Sequence, residues 1–571
     1  MKSLQQFFYD NDDFKTIVSG IEEGLKEQLV AGLSGSARTV FTASLYRELN
    51  KSILIVTHNL FQAQKVYEDL LNLIKDDVYL YPVNDLIASE VAVASPELKA
   101  QRIEVLNQLS AGKNSIVVAP VAGIRRLLPP KSLWKQKQFI LSLGQDIDLD
   151  EYIQQFISLG YERVDMVSSP GEFSVRGGII DIYPLTEDHA IRIELFDTEI
   201  DSIRSFNIED QRSIKMLKSV MIGPAVEMIV TDESRERCIQ KVEEGLAKSL
   251  KKMKNEQQKE MLIENIQYDI ERLRNNQLTQ DMFKFSSLFY EPPASLLDYF
   301  PVDSMVILDE ISRIHETYDQ LEREEAEWFT GLLEEGRIFQ DVKMSHSYVE
   351  VMSKSKQPSI YLSLFLRHVP HTSPQNILNL SCKQMQSFHG QMNVLKNELE
   401  RWEKAHYSVA FLGVNEERTK KLQDVLEDYE IEAKILGEDE FLQAGKISIV
   451  EGDLQTGFEL PMQKLAIITE EELFKKRVKK QVRRQKLSNA ERIKSYSELE
   501  IGDYVVHVNH GIGKYLGIET LEINGIHKDY LNIRYQGSDQ LYVPVDQIDQ
   551  VQKYVGSEGK EPKIYKLGGN D

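Results

Sequence analysis

The residues in this chain best placed to do chemistry lie at positions 32–39: Gly32, Leu33, Ser34, Gly35, Ser36, Ala37, Arg38 and Thr39. They follow a short apolar run and precede a helical pattern. A nucleotide loop of the form G-x-x-x-x-G-K, then Ser or Thr, curls backbone N–H groups around phosphates. Its lysine reaches the β- and γ-phosphates and its hydroxyl holds Mg²⁺. Here Gly32 and Thr39 keep their places, but Ala37 stands for the second required glycine and Arg38 for the lysine. A Cβ at 37 is expected to restrict the crowded backbone of such a nest. An arginine keeps the charge as a planar fork rather than a compact ammonium. Asp309 and Glu310 end a second apolar run, where a domain of this kind places one carboxylate on Mg²⁺ and one on the attacking water. An acidic pair closing a strand is also an ordinary structural feature. The expectation is a loop that has kept its shape without ATP hydrolysis, with no catalytic residue and no cofactor of its own.

The surrounding pattern is one that positions such a loop. Residues 28–57 read as strand, loop, helix and strand; a helix follows over 60–71, then strands near 78–81 and 115–120. Short apolar strands alternating with helices predict a parallel sheet covered on both faces. Over 145–215 the texture changes to period-two alternation broken by Pro170-Gly171 and Gly177-Gly178, a β-rich insertion. Residues 234–276 are helical and strongly charged, with Val242, Leu246, Leu250 and Met253 on one face. The buried-type strand at 305–308 returns the chain to the first sheet. A further α/β unit spans 405–470, and from 501 to 544 short strands and glycine turns predict a small β-barrel.

Composition bounds the function. A chain of 571 residues exceeds one core and suggests about four units. Its 28% charged and 42% hydrophobic residues describe a folded chain rather than a disordered one. A formal net charge of −22 argues against DNA binding by the surface as a whole. Cys238 and Cys382 are the only cysteines and have no metal-ligand spacing, which excludes a disulfide framework and a cysteine zinc site. The start of the chain lacks the pattern of a secretory signal, and no run of 18 apolar residues occurs, so a cytoplasmic protein without membrane contact is expected. Residues 475–494 carry ten basic residues against one acidic, without interleaved aromatics, and read as a linker that touches DNA weakly if at all.

Two segments read as docking surfaces. In the run 190–196, Ile191, Ile193 and Leu195 alternate with Arg192, Glu194 and Phe196, leaving an arginine and an aromatic on the polar face. That pair is either an interface hot spot or a core cap beside a solvated cation, and the alternation does not decide. Residues 514–522 read as an edge strand able to add to a partner's sheet. His507 and His510 lack a third ligand and read as hydrogen-bonding or turn residues.

At these residues a resemblance becomes specific. Gly35, the stretch 55–59 (IVTHN), Ala63-Gln64 and residues 292–301 (PPASLLDYFP) resemble the first helicase domain of the UvrB family. That family has an intact phosphate loop and an aromatic DNA-clamping hairpin, whereas between 78 and 115 only Tyr79 and Tyr81 are aromatic. Residues 160–163 (GYER), 170–184 (PGEFSVRGGIIDIYP), 192–196 and 202–206 are similar to the UvrA-binding domain shared by UvrB and the Mfd family of transcription-repair coupling factors. Residues 502–507, 510–515, 530–535 and 541–545 resemble the RNA-polymerase-interacting domain of the Mfd family, related to CarD-type regulators.

The resemblance implies a UvrB-like degenerate RecA-type domain 1a (residues 1–140), an inserted UvrA-binding domain (141–220) and a domain 1b (221–345). A third α/β domain (346–472), a basic linker (473–496), a CarD/Tudor-like barrel (497–555) and the start of a linker toward a more C-terminal motor (556–571) follow. It implies that Arg176, Arg192 and Phe196 contact UvrA, and that Leu521, with Gly517, Ile518 and Thr520, contacts the RNA polymerase β subunit. ATP, Mg²⁺ and DNA translocation would belong to the motor. The implied function is an adaptor in transcription-coupled nucleotide excision repair. The alternatives are a UvrB-like ATP-dependent damage-loading protein, or a CarD-like regulator, which leaves the UvrA surface idle.

Overall fold

The computed structural model describes residues 1–83, 96–278, 280–474, 499–507, 509–523, 526–554 and 567. The basic run and all but one of residues 556–571 lie outside the described residues, as do residues 84–95 of the segment between 78 and 115.

The first sheet has seven parallel strands in the order Asn376–Asn379, Glu27–Ala31, Ser359–Ser363, Met305–Asp309, Ile53–Thr57, Ile116–Pro120 and Val78–Leu80. Every residue of Ile53–Thr57, Met305–Asp309 and Ile116–Pro120 is buried. Because successive side chains point to opposite faces, each strand feeds two cores. Leu54, Val56, Val306 and Leu308 join one, while Ile53, Ile55, Met305 and Ile307 join the other. Both candidate motifs therefore sit at carboxyl ends of strands, the end where open parallel sheets hold ligands. One strand, Ser359–Ser363, separates them.

That strand and Asn376–Asn379 pair with Glu27–Ala31. The first sheet thus runs past residue 345, where the sequence places the start of the third unit. The third unit's own sheet begins at Lys383–Gln384 and continues through Phe458–Leu460, Leu465–Ile468, Ser408–Gly413, Ile447–Glu451 and Lys434–Ile435.

The insertion enters and leaves through an antiparallel ribbon, Phe139–Ser142 with Ser219–Ile222. Its six strands run in the order Ser213–Leu217, Glu199–Phe206, Ala190–Phe196, Ile179–Ile182, Glu172–Arg176 and Glu162–Arg163. Ile180, Ile182, Ile191, Ile193, Ile200 and Ile203 form its inner face, packed with Ile153 and Phe156 of the helix Leu149–Ser158. The charged helical stretch is a hairpin, Asp232–Lys252 and Glu256–Arg274. Thr231 caps its first helix by accepting from Ser234 N, and Val242 and Leu246 face a core shared with Phe285, Phe289 and Phe339.

The C-terminal segment is an antiparallel sheet, Gln540–Pro544, Ile526–Arg534, Gly511–Ile523, Tyr504–His507 and Val551–Lys553 in that order. Leu60 and Phe61, which open the helix Leu60–Ile74, pack into its core beside Val505, Tyr515 and Leu531. Among the described residues, no helix is long and apolar enough to cross a membrane.

Candidate functional site

The phosphate-loop sequence joins Glu27–Ala31 to the helix Ser36–Leu49. The positive-φ positions are Gly32 (102°) and Gly35 (53°). Gly32 also faces the Leu380 carbonyl, which a Cβ would meet at 2.3 Å. Ala37 does not crowd the nest, contrary to the expectation from sequence. It lies in the first turn of the helix, and its methyl group is fully buried in the core with Val40 and Leu33.

Arg38 turns back across the sheet ends. Its Nε donates to the Leu33 carbonyl (2.6 Å), Nη1 to Asp309 Oδ1 (2.8 Å) and Nη2 to Glu310 Oε2 (2.8 Å). Asp309 Oδ2 accepts from Gln62 Nε2 (3.2 Å), and Glu310 Oε2 also accepts from Leu364 N (3.2 Å). Burial by itself would lower the Arg38 pKa, but the two carboxylates outweigh it and hold the guanidinium charged more firmly than usual. Thr39 Oγ1 donates to the buried Asp69 carboxylate (2.9 Å). Each group that would serve MgATP thus has an internal partner: the cation bridges the acidic pair, and the hydroxyl is tied to a carboxylate. Removing the bridge strands buried charge, because the Asp309 side chain is only 5% exposed. Arg38→Ala is expected to cost about 3 kcal/mol of stability. Denaturant unfolding measures this, and a loss near 0.5 kcal/mol, about the level of a solvated surface pair, would contradict the geometry.

On the inserted sheet, register aligns Arg176 with Ile179, Ile179 with Glu194 and Glu194 with Ser202. The adjoining row on the same face is Ser174, Asp181, Arg192, Arg204 and Met216. Phe196 is 77% exposed, so it caps no core. Arg176 is also exposed, at the end of its strand. Arg192 departs from the solvent-facing role read from the alternation. Its Nε and Nη2 donate to Asp181 Oδ1 (2.8 Å) and Oδ2 (2.9 Å), Nη2 also reaches Gln211 Oε1 (2.7 Å), and the guanidinium lies 4.2 Å from the centre of the Phe206 ring. The hydrogen bonds to Asp181, with the charges of Asp181 and Glu194, outweigh burial and raise its pKa. Sequence reasoning passed over Ile179 and Met216, which add exposed apolar surface to this face. Their parity with Arg176 and Arg192 across the strand pairs is the signal that could have found them.

In the C-terminal sheet, Tyr504–His507 pairs only with residues 511–514 of the strand Gly511–Ile523. Lys514 is therefore paired on both sides, and the edge predicted to begin there begins beyond it. A bulge between Tyr515 and Gly517 re-aims the strand, with Gly517 at φ 123°. From Gly517 to Ile523 one side pairs with Ile526–Arg534, and the other has no strand partner among the described residues. Ile518 and Thr520 are exposed, Leu521 is half-buried, and Thr520 Oγ1 donates to Asp529 Oδ1. His507 Nδ1 accepts from Asn509 N (3.0 Å), and burial pushes its pKa down to about 4, so the ring stays neutral and holds the turn.

Comparison with known proteins follows this division. A family model described as "UvrB interaction domain" matches residues 139–228, one described as "MFD, D3 domain" matches 402–473, and one described as "CarD-like/TRCF RID domain" matches 499–555. The chain is 63% identical to the transcription-repair-coupling factor of Bacillus subtilis over 100% of its own length and 49% of that protein's. It is 40% identical to those of Staphylococcus epidermidis and Staphylococcus aureus (strain MRSA252) over 96% of its length and 47% of theirs. The chain spans about half the length of these curated relatives.

Proposed function

We propose, from the premise that this chain belongs to the family of transcription-repair-coupling factors, that it is the region of such a factor that joins RNA polymerase to UvrA. The observation that carries this reading is the separation of two docking features. The mixed face of Arg176, Ile179, Phe196 and Met216 lies on the inserted sheet, and the edge from Gly517 to Ile523, open on one side among the described residues, lies on another. An exposed aromatic and an arginine on one sheet face are the composition of an interface hot spot. A free strand edge suits addition to a partner's sheet, and the polymerase β subunit is the partner assigned to it. The first sheet with its phosphate-loop helix is read as a degenerate RecA-type domain, and the C-terminal sheet as a CarD/Tudor-like barrel. ATP-driven translocation along DNA is assigned to the remainder of the complete protein, and the loop at 32–39 is read as holding no nucleotide, because Arg38 already joins Asp309 and Glu310.

The test is co-retention. Immobilised chain is expected to hold purified UvrA and the polymerase β subunit together, each without loss of the other. Mutual exclusion, or failure to retain either partner, would overturn the adaptor reading.

A further inference from the structure

The loop before Phe458–Leu460 in the third unit reaches across to the phosphate-loop helix. Thr456 Oγ1 accepts from Ser36 N (3.2 Å), and Thr456 N donates to Ser36 Oγ (3.0 Å), a reciprocal pair across 420 residues. Beside it, Gln455 N donates to Asp69 Oδ1 (2.8 Å) and Gln455 Nε2 to Glu68 Oε2 (2.9 Å). The other oxygen of Asp69 accepts from Ser36 Oγ (2.8 Å) and Thr39 Oγ1 (2.9 Å). A Cβ on Gly35 would meet Thr456 Oγ1 at 2.5 Å, so the approach is close.

This is the place where a helix start offers free N–H groups to an anion. Those donors are engaged: Ser36 N by Thr456, Ala37 N by the Ser34 carbonyl and Arg38 N by the Gly35 carbonyl. An arriving phosphate would displace Thr456 and face the buried Asp69 carboxylate. Beneath the polar contacts, Leu454, Phe458 and Leu460 share one core with Leu33, Ala37 and Val40. The two units are therefore fused at this point by apolar packing, with the hydrogen bonds setting the register.

We propose that the third unit serves as an internal ligand of the phosphate loop: its Gln455-Thr456 segment fills the anion seat and excludes nucleotide independently of the Arg38 bridge. The proposal rests on the reading of the loop as a relic and adds a second, separable block. Restoring the loop sequence alone then gains nothing.

MgATP binding by calorimetry tests this on four proteins: the unaltered chain, Ala37→Gly/Arg38→Lys, Gln455→Gly/Thr456→Gly, and the four-fold combination. The expected result is no binding for the first three and at least a tenfold gain in association for the combination. Binding by the unaltered chain would sink the relic reading and this proposal together. Binding by Ala37→Gly/Arg38→Lys alone would sink only the proposal, and so would a folded combination that does not bind. Should the combination fail to fold, hydrogen exchange on the unaltered chain decides. The Ser36 and Thr456 amides are expected to exchange as slowly as strand Ile53–Thr57, with no change on adding MgATP. Exchange at open-loop rates would overturn the proposal.

Discussion

Phe196→Ala combined with Arg176→Glu is expected to weaken UvrA binding about a hundredfold or more without moving the thermal unfolding midpoint. Both side chains stand free of the core, with Phe196 77% exposed, so their loss leaves no cavity and strands no buried partner. Hot-spot aromatics and arginines typically contribute about 2 kcal/mol or more each, and two such losses exceed two decades in affinity. The same logic separates Arg192 from the pair. Its guanidinium neutralises Asp181, which is 4% exposed, and covers Phe206. Arg192→Glu would set two carboxylates against each other on a closed surface, costing on the order of 3 kcal/mol. A lost interaction in that variant therefore reports on the sheet as much as on the contact. Titration of UvrA onto each variant, with unfolding followed in parallel, distinguishes the cases. Unchanged affinity in the folded Phe196/Arg176 variant would remove this face from the binding surface.

Which parts of the molecule were legible in the sequence follows from the range of the interactions that make them. The strands Ile53–Thr57, Ile116–Pro120 and Met305–Asp309 were visible because complete burial selects continuous β-branched and aliphatic runs. Ser359–Ser363 is equally buried but carries serine at both ends and leads into irregular chain, and Asn376–Asn379 is polar at its ends and half-exposed. Neither resembles a strand until Glu27–Ala31 supplies its partner. The phosphate-loop departures were plain as residue types, but their consequence was not. Nothing near position 38 announces that its partners stand 271 and 272 residues away. The seat taken by Thr456 is likewise a contact between units, with no local pattern to betray it. The partners of Arg192 were hidden for a related reason: alternation assigns a face, but what engages the guanidinium there depends on Asp181 and Gln211 from neighbouring chain segments.

Leu521→Asp is expected to reduce affinity for the polymerase β subunit at least about tenfold, with the C-terminal sheet intact. The side chain is half-buried on the stretch from Gly517 to Ile523, where one side pairs with Ile526–Arg534 and the other is open among the described residues. A partner strand added there would satisfy main-chain groups along the edge, while Leu521 fixes the register by entering an apolar pocket. A carboxylate in that pocket would be desolvated without a counter-charge. Main-chain pairing carries a second signature that side-chain contact alone does not. The backbone amides that point outward from 517–523 should slow in hydrogen exchange when the β subunit binds, at alternate residues, while those already paired to Ile526–Arg534 change little. Thr520→Val keeps the backbone and should preserve both binding and this alternating protection, since its hydroxyl is spent within the sheet on Asp529. Uniform protection across the strand, or none, would exclude strand addition even if Leu521→Asp lost affinity.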